Sequence, residues 1–205
     1  MLRRRRPSAL LLAVLLVAGC TTLKRCGYEG FGRDEWQQPE RVVQALGLRP
    51  GDRVADLGSG SGYFTFRLAR AVGPTGKVYA VDIDEPMSAD LRARAKQEGH
   101  ANVEVILAKR DDPLLPPGVI DLVFTSNTYH LMKDRTAYFA RLRAALKPGG
   151  RVAIVDFDRR GWTRLVGHYT ELETIKTEMR AAGYRLTAEH GFLEKQSFLV
   201  FSPAG

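Results

Sequence analysis

Two kinds of apolar pattern alternate along this chain. Short runs rich in Val, Ile, Leu and Phe, bounded by Gly, Pro or Asp, fall at Val54 to Gly58, Gly76 to Asp84, Asn102 to Leu107, Val119 to Ser126 and Arg151 to Phe157. Runs of that length without a polar face read as strands buried on both sides. Between them lie segments whose apolar residues recur every three or four positions, the period of a helix with one buried face. The spacing predicts helices over Tyr63 to Val72 and Pro86 to Gln97, the latter with Met87, Leu91 and Ala95 inward. A third follows Asp134, a cap candidate, and carries Tyr138, Phe139, Leu142, Ala145 and Leu146 until Lys147-Pro148-Gly149-Gly150 stops it. A capping box, Thr170-x-x-Glu173, opens a fourth with Leu172, Ile175, Met179 and Ala182 on one face and Gly183 as its stop. Upstream, Pro39 opens a short helix with Val42, Val43 and Leu46 on one side. Tyr184 to His190 and Gln196 to Ser202 close the chain as a strand pair. This alternation predicts a three-layer, doubly wound α/β domain around a mostly parallel sheet of about seven strands with right-handed crossovers.

The first twenty residues break the pattern. Arg3 to Arg6 precede an apolar run from Ala9 to Ala18, too short for a bilayer span and suited to an export signal. The ending Val17-Ala18-Gly19-Cys20 resembles a bacterial lipobox. It implies a lipoprotein-type signal peptide over residues 1–19, lipid on Cys20, and a membrane-anchored protein of the bacterial cell envelope facing the periplasm or exterior. A plain secretory signal, an uncleaved anchor or a twin-arginine route through Arg5-Arg6 are the alternatives. Residues 20–35 read as a flexible tether and 36–205 as the folded domain. Cys26 is the other cysteine, so a lipidated Cys20 leaves no intrachain disulfide, and no close Cys/His cluster suggests a metal. The leader supplies half of the formal charge of +8: without Arg3 to Arg6, 27 basic residues face 23 acidic ones. With no basic stripe interleaved with aromatics, nucleic acid is not favoured as a partner.

The chemistry gathers where the first strand ends. Asp56 is followed by Gly58, Ser59, Gly60, Ser61 and Gly62, a tight turn opening into a helix. Glycine there tolerates positive φ and lets a ligand lie against the backbone. The turn's free N–H groups and the helix's positive end make a polar cradle. A dinucleotide turn wants G-x-G-x-x-G, and Tyr63 stands where its third glycine belongs, which disfavours a nicotinamide-dependent oxidoreductase. Asp82 ends the second strand twenty positions after Gly62, the distance at which a βαβ nucleotide fold places an acid on two ribose hydroxyls. Asp84 is its rival.

A strand-terminal acid followed by G-x-G-x-G resembles the nucleoside-binding loop of class I S-adenosylmethionine (SAM) methyltransferases, and the run DLVFTSNTYHLMKDR…LRAALKPGGRVAIVDF resembles the second half of their core. The resemblance covers about residues 36 to 202. It implies a Rossmann-like sheet with an antiparallel edge strand supplied by the closing pair. It implies SAM as cofactor, with Asp56, Gly58, Ser59, Gly60, Gly62, Asp82, Ile83 (an apolar wall for adenine), Asp111 and Asn127 as its site. Lys109 stands where the family carries an adenine-binding acid, which leaves Asp111 or the backbone to do that work. The leading helix would cover the pocket, with Trp36 touching ligand or packing.

On the acceptor side, Asn127, Tyr129 and His130 follow the fourth strand at the end where open α/β sheets bind ligands. His130 reads either as a base near neutral pH or as a residue hydrogen-bonded locally. Tyr129 reads as a wall, Asp156 as a further base candidate and His168 as exposed. The function implied is methyl transfer from SAM to a small-molecule acceptor. The alternative is a catalytically degenerate nucleoside-binding module of the envelope, a compartment where SAM is not expected to be supplied. The pattern fixes no oligomeric state.

Overall fold

The computed structural model describes residues 32–160 and 168–205. The leader, Cys20, Cys26 and most of the tether lie outside them. Two short helices, α1 (Arg33–Gln37) and α2 (Pro39–Ala45), lead into β1 (Arg53–Leu57), α3 (Thr65–Val72), β2 (Lys77–Asp82), α4 (Glu85–Gln97) and β3 (Val103–Leu107). Then come β4 (Ile120–Ser126), a 3-10 turn (Tyr129–Leu131), α5 (Arg135–Leu142), β5 (Leu146–Phe157), α6 (Leu172–Ala181), β6 (Tyr184–His190) and β7 (Gln196–Pro203). The strands form one sheet in the order β3-β2-β1-β4-β5-β7-β6. β7 runs antiparallel between β5 and β6, and the other pairings are parallel. The expected antiparallel pairing therefore sits at one end of the sheet, with β6 as its edge.

β1 lies at the centre, and every residue after Arg53 is buried because both faces are covered. Its alternate side chains divide between two cores. Val54 packs with Leu68, Val72, Leu122 and Phe124 under α3. Ala55 and Leu57 pack with Phe139, Leu142, Ile175 and Met179 under α5 and α6. Side chains on both faces hold β1 still, and the glycine bend leaves from its carboxyl end.

Several boundaries move. α1 is helical and packs on the domain, so residues 33–35 belong to the fold rather than to the tether. α3 starts at Thr65, two residues after the predicted start at Tyr63, because Gly62 to Phe64 are still turning. Lys147-Pro148-Gly149-Gly150 does not separate α5 from β5: α5 ends at Leu142, and β5 already begins at Leu146, which pairs with Ile120 across an irregularity. Gly150 permits this, since a Cβ there would sit 2.8 Å from the Ile120 carbonyl oxygen. Asp134 precedes α5 with φ of 47° and no capping bond; the left-handed backbone turns its carboxylate away from the first amides. The Thr170 capping box is also not formed. Glu171 is the residue at that boundary, and the Thr170 hydroxyl is buried without a partner.

Candidate active site

A hollow of about 760 Å³ crosses the carboxyl ends of β3, β2, β1 and β4. Asp56, Gly58, Ser59 and Gly60 line it from β1, Asp82 and Ile83 from β2, Lys109 and Asp111 from the loop after β3, and Asn127 from the turn after β4. These are eight of the nine residues that the sequence assigned to the cofactor, together with Lys109. Gly62, the ninth, is turned elsewhere. A Cβ on it would lie 2.4 Å from Leu91 and 3.0 Å from Phe66, so its bareness lets the bend pack on α3 and α4.

Asp82 faces the bend. Its Oδ2 accepts the Gly60 N–H at 2.7 Å and its Oδ1 accepts the Asp84 N–H at 3.0 Å. A carboxylate has about four acceptor positions, so each oxygen keeps one for a ligand hydroxyl. Asp84, the rival, is occupied in capping α4 through the Met87 N–H at 3.1 Å. Ile83 is 49% exposed, as an apolar wall awaiting a flat ligand would be.

The bend itself departs from the expected cradle of free amides. The N–H groups of Gly58 and Ser59 both bond Val81 O, that of Gly60 bonds Asp82, and that of Gly62 bonds Ser59 O. Four donors are spent on holding the turn. What the bend offers a ligand is backbone surface and the hydroxyls of Ser59 and Ser61, buried and without partners. Gly58, at φ of 74°, has no Cβ, which lets the bend close on the turn after β4; a Cβ there would come within 2.1 Å of Thr128 Oγ1.

Two ionisable side chains flank the bend. Asp56 is buried beside it and accepts a 2.7 Å bond from Thr65 Oγ1. Burial raises this carboxyl to about 7, against the lowering effect of the Thr65 bond. Arg33 reaches the hollow from α1, its guanidinium 3.7 Å from the centre of the Tyr63 ring. Burial lowers it to about 10. Sequence reasoning missed Arg33 because it lies in the segment read as tether, with no periodicity to mark it.

The Asp56 shift has a measurable consequence. The folded state holds this proton up to about pH 7, whereas an unfolded aspartate releases it near 3.8. Between those values the folded chain binds the extra proton, so this group's contribution to stability falls as pH rises and levels off above 7. Asp56→Asn should therefore gain stability over the native chain between pH 4 and 8, by at most about 4 kcal/mol. Urea melts at pH 4.5, 6 and 8 check this; a pH-independent difference would contradict it.

The acceptor-side residues separate. Tyr129 is not a pocket wall: the 3-10 turn rolls it into the core, where its hydroxyl donates to Glu178 Oε2 at 2.7 Å and Arg135 lies over the ring. His130 is also buried, its side chain 7% exposed, and is tied to Asp156. The two Asp156 oxygens each lie 2.8 Å from His130, one accepting its backbone N–H and the other facing Nδ1. A carboxylate only accepts, so Nδ1 carries the proton and Nε2 is the nitrogen left to take one. Phe157 and the exposed His168 stand about the ring at 6.1 and 6.0 Å between centroids. Trp36 packs on Phe157. Below them, Gln196 Nε2 donates to Asn127 Oδ1 and Gln37 Nε2 donates to Ser126 Oγ at 2.8 Å. Neither glutamine was legible as a site residue.

A glycine bend after β1 and the acid ending β2, hydrogen-bonded to one another and both lining the hollow, are the arrangement of an α/β nucleoside site. A model of the methyltransferase domain matches residues 48–194, and the chain belongs to that family. Among curated relatives, nocamycin O-methyltransferase of Saccharothrix syringae is 37% identical over 114 residues, which is 56% of this chain and 41% of that protein. The ubiquinone/menaquinone biosynthesis C-methyltransferase of Burkholderia cenocepacia is 33% identical over 118 residues, 58% and 48% of the two chains. The match thus spans less than half the length of these relatives. A SAM-dependent methyltransferase of Aquifex aeolicus superposes with a TM-score of 0.80 at 25% identity, covering 87% of this chain and 96% of its own. The 1,6-didemethyltoxoflavin-N1-methyltransferase of Burkholderia thailandensis, solved with S-adenosylhomocysteine, shares the fold at 18% identity, with a TM-score of 0.67 over 100% of this chain and 94% of that one.

Proposed function

We propose that this protein is a SAM-dependent methyltransferase acting on a small-molecule acceptor at the carboxyl ends of β4 and β5. The observation that carries the reading is Asp82 hydrogen-bonded to the glycine bend, with both lining a hollow of about 760 Å³ at the carboxyl ends of the strands. The residues present fit that ligand. The backbone of the bend gives it a surface, Asp82 gives its sugar two acceptors, and Ile83 gives its base an apolar face. When bound, SAM supplies a methyl group made electrophilic by its sulfonium. The chain's own part is to position an acceptor in line with that methyl and exclude water. Asn127 lines the hollow on that side, and His130, oriented by Asp156 though not itself among the lining residues, is our candidate to take a proton from the acceptor. Relatives named for nocamycin, ubiquinone/menaquinone and 1,6-didemethyltoxoflavin support a small-molecule acceptor. The envelope address and the lipid on Cys20 belong to the same proposal and rest on the sequence alone.

The test is transfer of labelled methyl from SAM to metabolite extracts, with SAM binding followed by calorimetry. Labelled product with the native chain and none with Asp82→Ala is the expected result. SAM binding without any product would favour the binding-module reading, which Lys109 at the adenine end makes the natural rival. Absence of SAM binding would overturn both.

A further inference from the structure

We propose that Ser126 and Asn127 form a pair of hydrogen-bond donors for an oxygen of the methyl acceptor, so that the site takes phenols and enols, held through that oxygen, in preference to amines. This rests on the reading of the hollow as a SAM site. With the cofactor's sugar on Asp82 at β2 and its amino-acid end at the bend after β1, the end of the hollow left to an acceptor is at β4, the next strand in the sheet. Ser126 closes β4, Asn127 follows it, and both line that end. Successive residues of a strand point to opposite faces. Here the alternation stops. Asn127 has φ of 56°, a left-handed backbone that asparagine tolerates, and two neighbouring polar side chains meet one space.

Two buried glutamines from outside β4 decide which way these side chains are polarised. Gln37, at the end of α1, accepts the Arg33 Nε–H on its Oε1. A guanidinium only donates, so this contact fixes the amide, and Nε2 is the atom that reaches Ser126 Oγ at 2.8 Å. The Ser126 oxygen therefore accepts from Gln37 and keeps its own proton to give. Gln196, at the start of β7, donates Nε2 to Asn127 Oδ1, which leaves the Asn127 Nδ2 protons to give. Among the described residues none takes either. Thr128, the next hydroxyl along, differs: it spends its proton on Ser126 O at 3.1 Å, and its side chain lies against Gly58. Two donors thus stand side by side where the acceptor has to lie. A phenolate or enolate oxygen takes both bonds through its lone pairs. An amine keeps its single lone pair for the methyl group and offers N–H, whereas the oxygen of Asn127 is turned to Gln196 and that of Ser126 already accepts from Gln37.

The experiment compares 4-nitrophenol and 4-nitroaniline, two probes of one shape, on the full chain loaded with S-adenosylhomocysteine, at a pH where the phenol is ionised. Calorimetry first measures S-adenosylhomocysteine, and visible absorption then follows the probes. The native chain should hold the phenolate at least about tenfold more tightly than the amine, with the phenolate band moved to shorter wavelength as its oxygen accepts hydrogen bonds. Ser126→Ala should weaken the phenolate about tenfold and leave the amine within about twofold. Asn127→Asp, which sets a carboxylate against the oxyanion, should remove the preference. Gln37→Glu turns one bond round: its carboxylate takes the Ser126 proton, so it should copy Ser126→Ala although Ser126 is present, with S-adenosylhomocysteine still bound within about threefold of native. A native preference near unity, no binding of either probe to the loaded chain, or unchanged phenolate affinity in Ser126→Ala or Gln37→Glu would overturn the proposal. So would equal loss of both probes and of S-adenosylhomocysteine in Gln37→Glu, which would make that glutamine a structural support. If the native chain does not bind S-adenosylhomocysteine, the function reading fails and this one with it; if it binds but does not discriminate, the donor pair alone is lost.

Discussion

Asp82→Ala should lower SAM affinity by two to four powers of ten, and Asp82→Asn by about one to two. Hydrogen bonds to a charged acceptor contribute about 1.5–3 kcal/mol each, and a factor of ten in affinity is about 1.4 kcal/mol. Alanine removes both acceptor positions facing the ligand. It also orphans the Gly60 N–H, now held at 2.7 Å, and so loosens the bend. Asparagine keeps one oxygen, with its backbone bond and one of the two ligand bonds, and replaces the other acceptor by an N–H donor. The comparison with Asp84→Asn separates sugar recognition from helix capping, because Asp84 spends its carboxylate on Met87 N–H. Asp84→Asn should lower the melting temperature slightly and change SAM affinity less than threefold. Calorimetry measures the affinities. Equal losses at positions 82 and 84 would refute the assignment of the sugar to Asp82.

What the sequence made legible follows from where its signals come from. Asp56 and Asp82 were readable because each ends an apolar run, and strand ends in a parallel sheet share one edge where ligands bind. The glycine bend was readable for the same reason, since three positive-φ glycines in five residues allow few structures. Its hydrogen bonding was not, because whether an amide is free depends on Val81, more than twenty residues away. Gly62 and Tyr129 were assigned to the ligand by their neighbours in sequence. Gly62 turns to Leu91, and the 3-10 turn carries Tyr129 to Glu178, 49 positions on. Arg33 and Gln37 left no trace, since their meaning lies in contacts with Tyr63 and with Ser126, 89 residues downstream. The pairing of His130 with Asp156 lies between: both were candidates, but only adjacent parallel strands bring them together.

Gly58→Ala should destabilise the fold by about 2–4 kcal/mol, and the reason lies as much in β4 as in the bend. At φ of 74° an L side chain is strained by about 1 kcal/mol, and overpacking costs a further 1–3. The new Cβ would meet Thr128 at 2.1 Å from Oγ1, 2.5 Å from Cγ2 and 2.8 Å from Cβ. Neither side gives way readily. Gly58 N–H is tied to Val81 O, and Thr128 Oγ1 donates to Ser126 O at 3.1 Å. Thr128→Ala removes two of the three clashing atoms, so it should relieve the overpacking in part while leaving the backbone strain and the Cβ contact. A cycle of Gly58→Ala, Thr128→Ala and the double variant should therefore show favourable coupling of about 1–2 kcal/mol in urea melts. Additive losses would mean that the bend and the β4 turn are mechanically independent. The wall of the hollow would then not depend on their contact, and Gly58 would matter for its backbone angle alone.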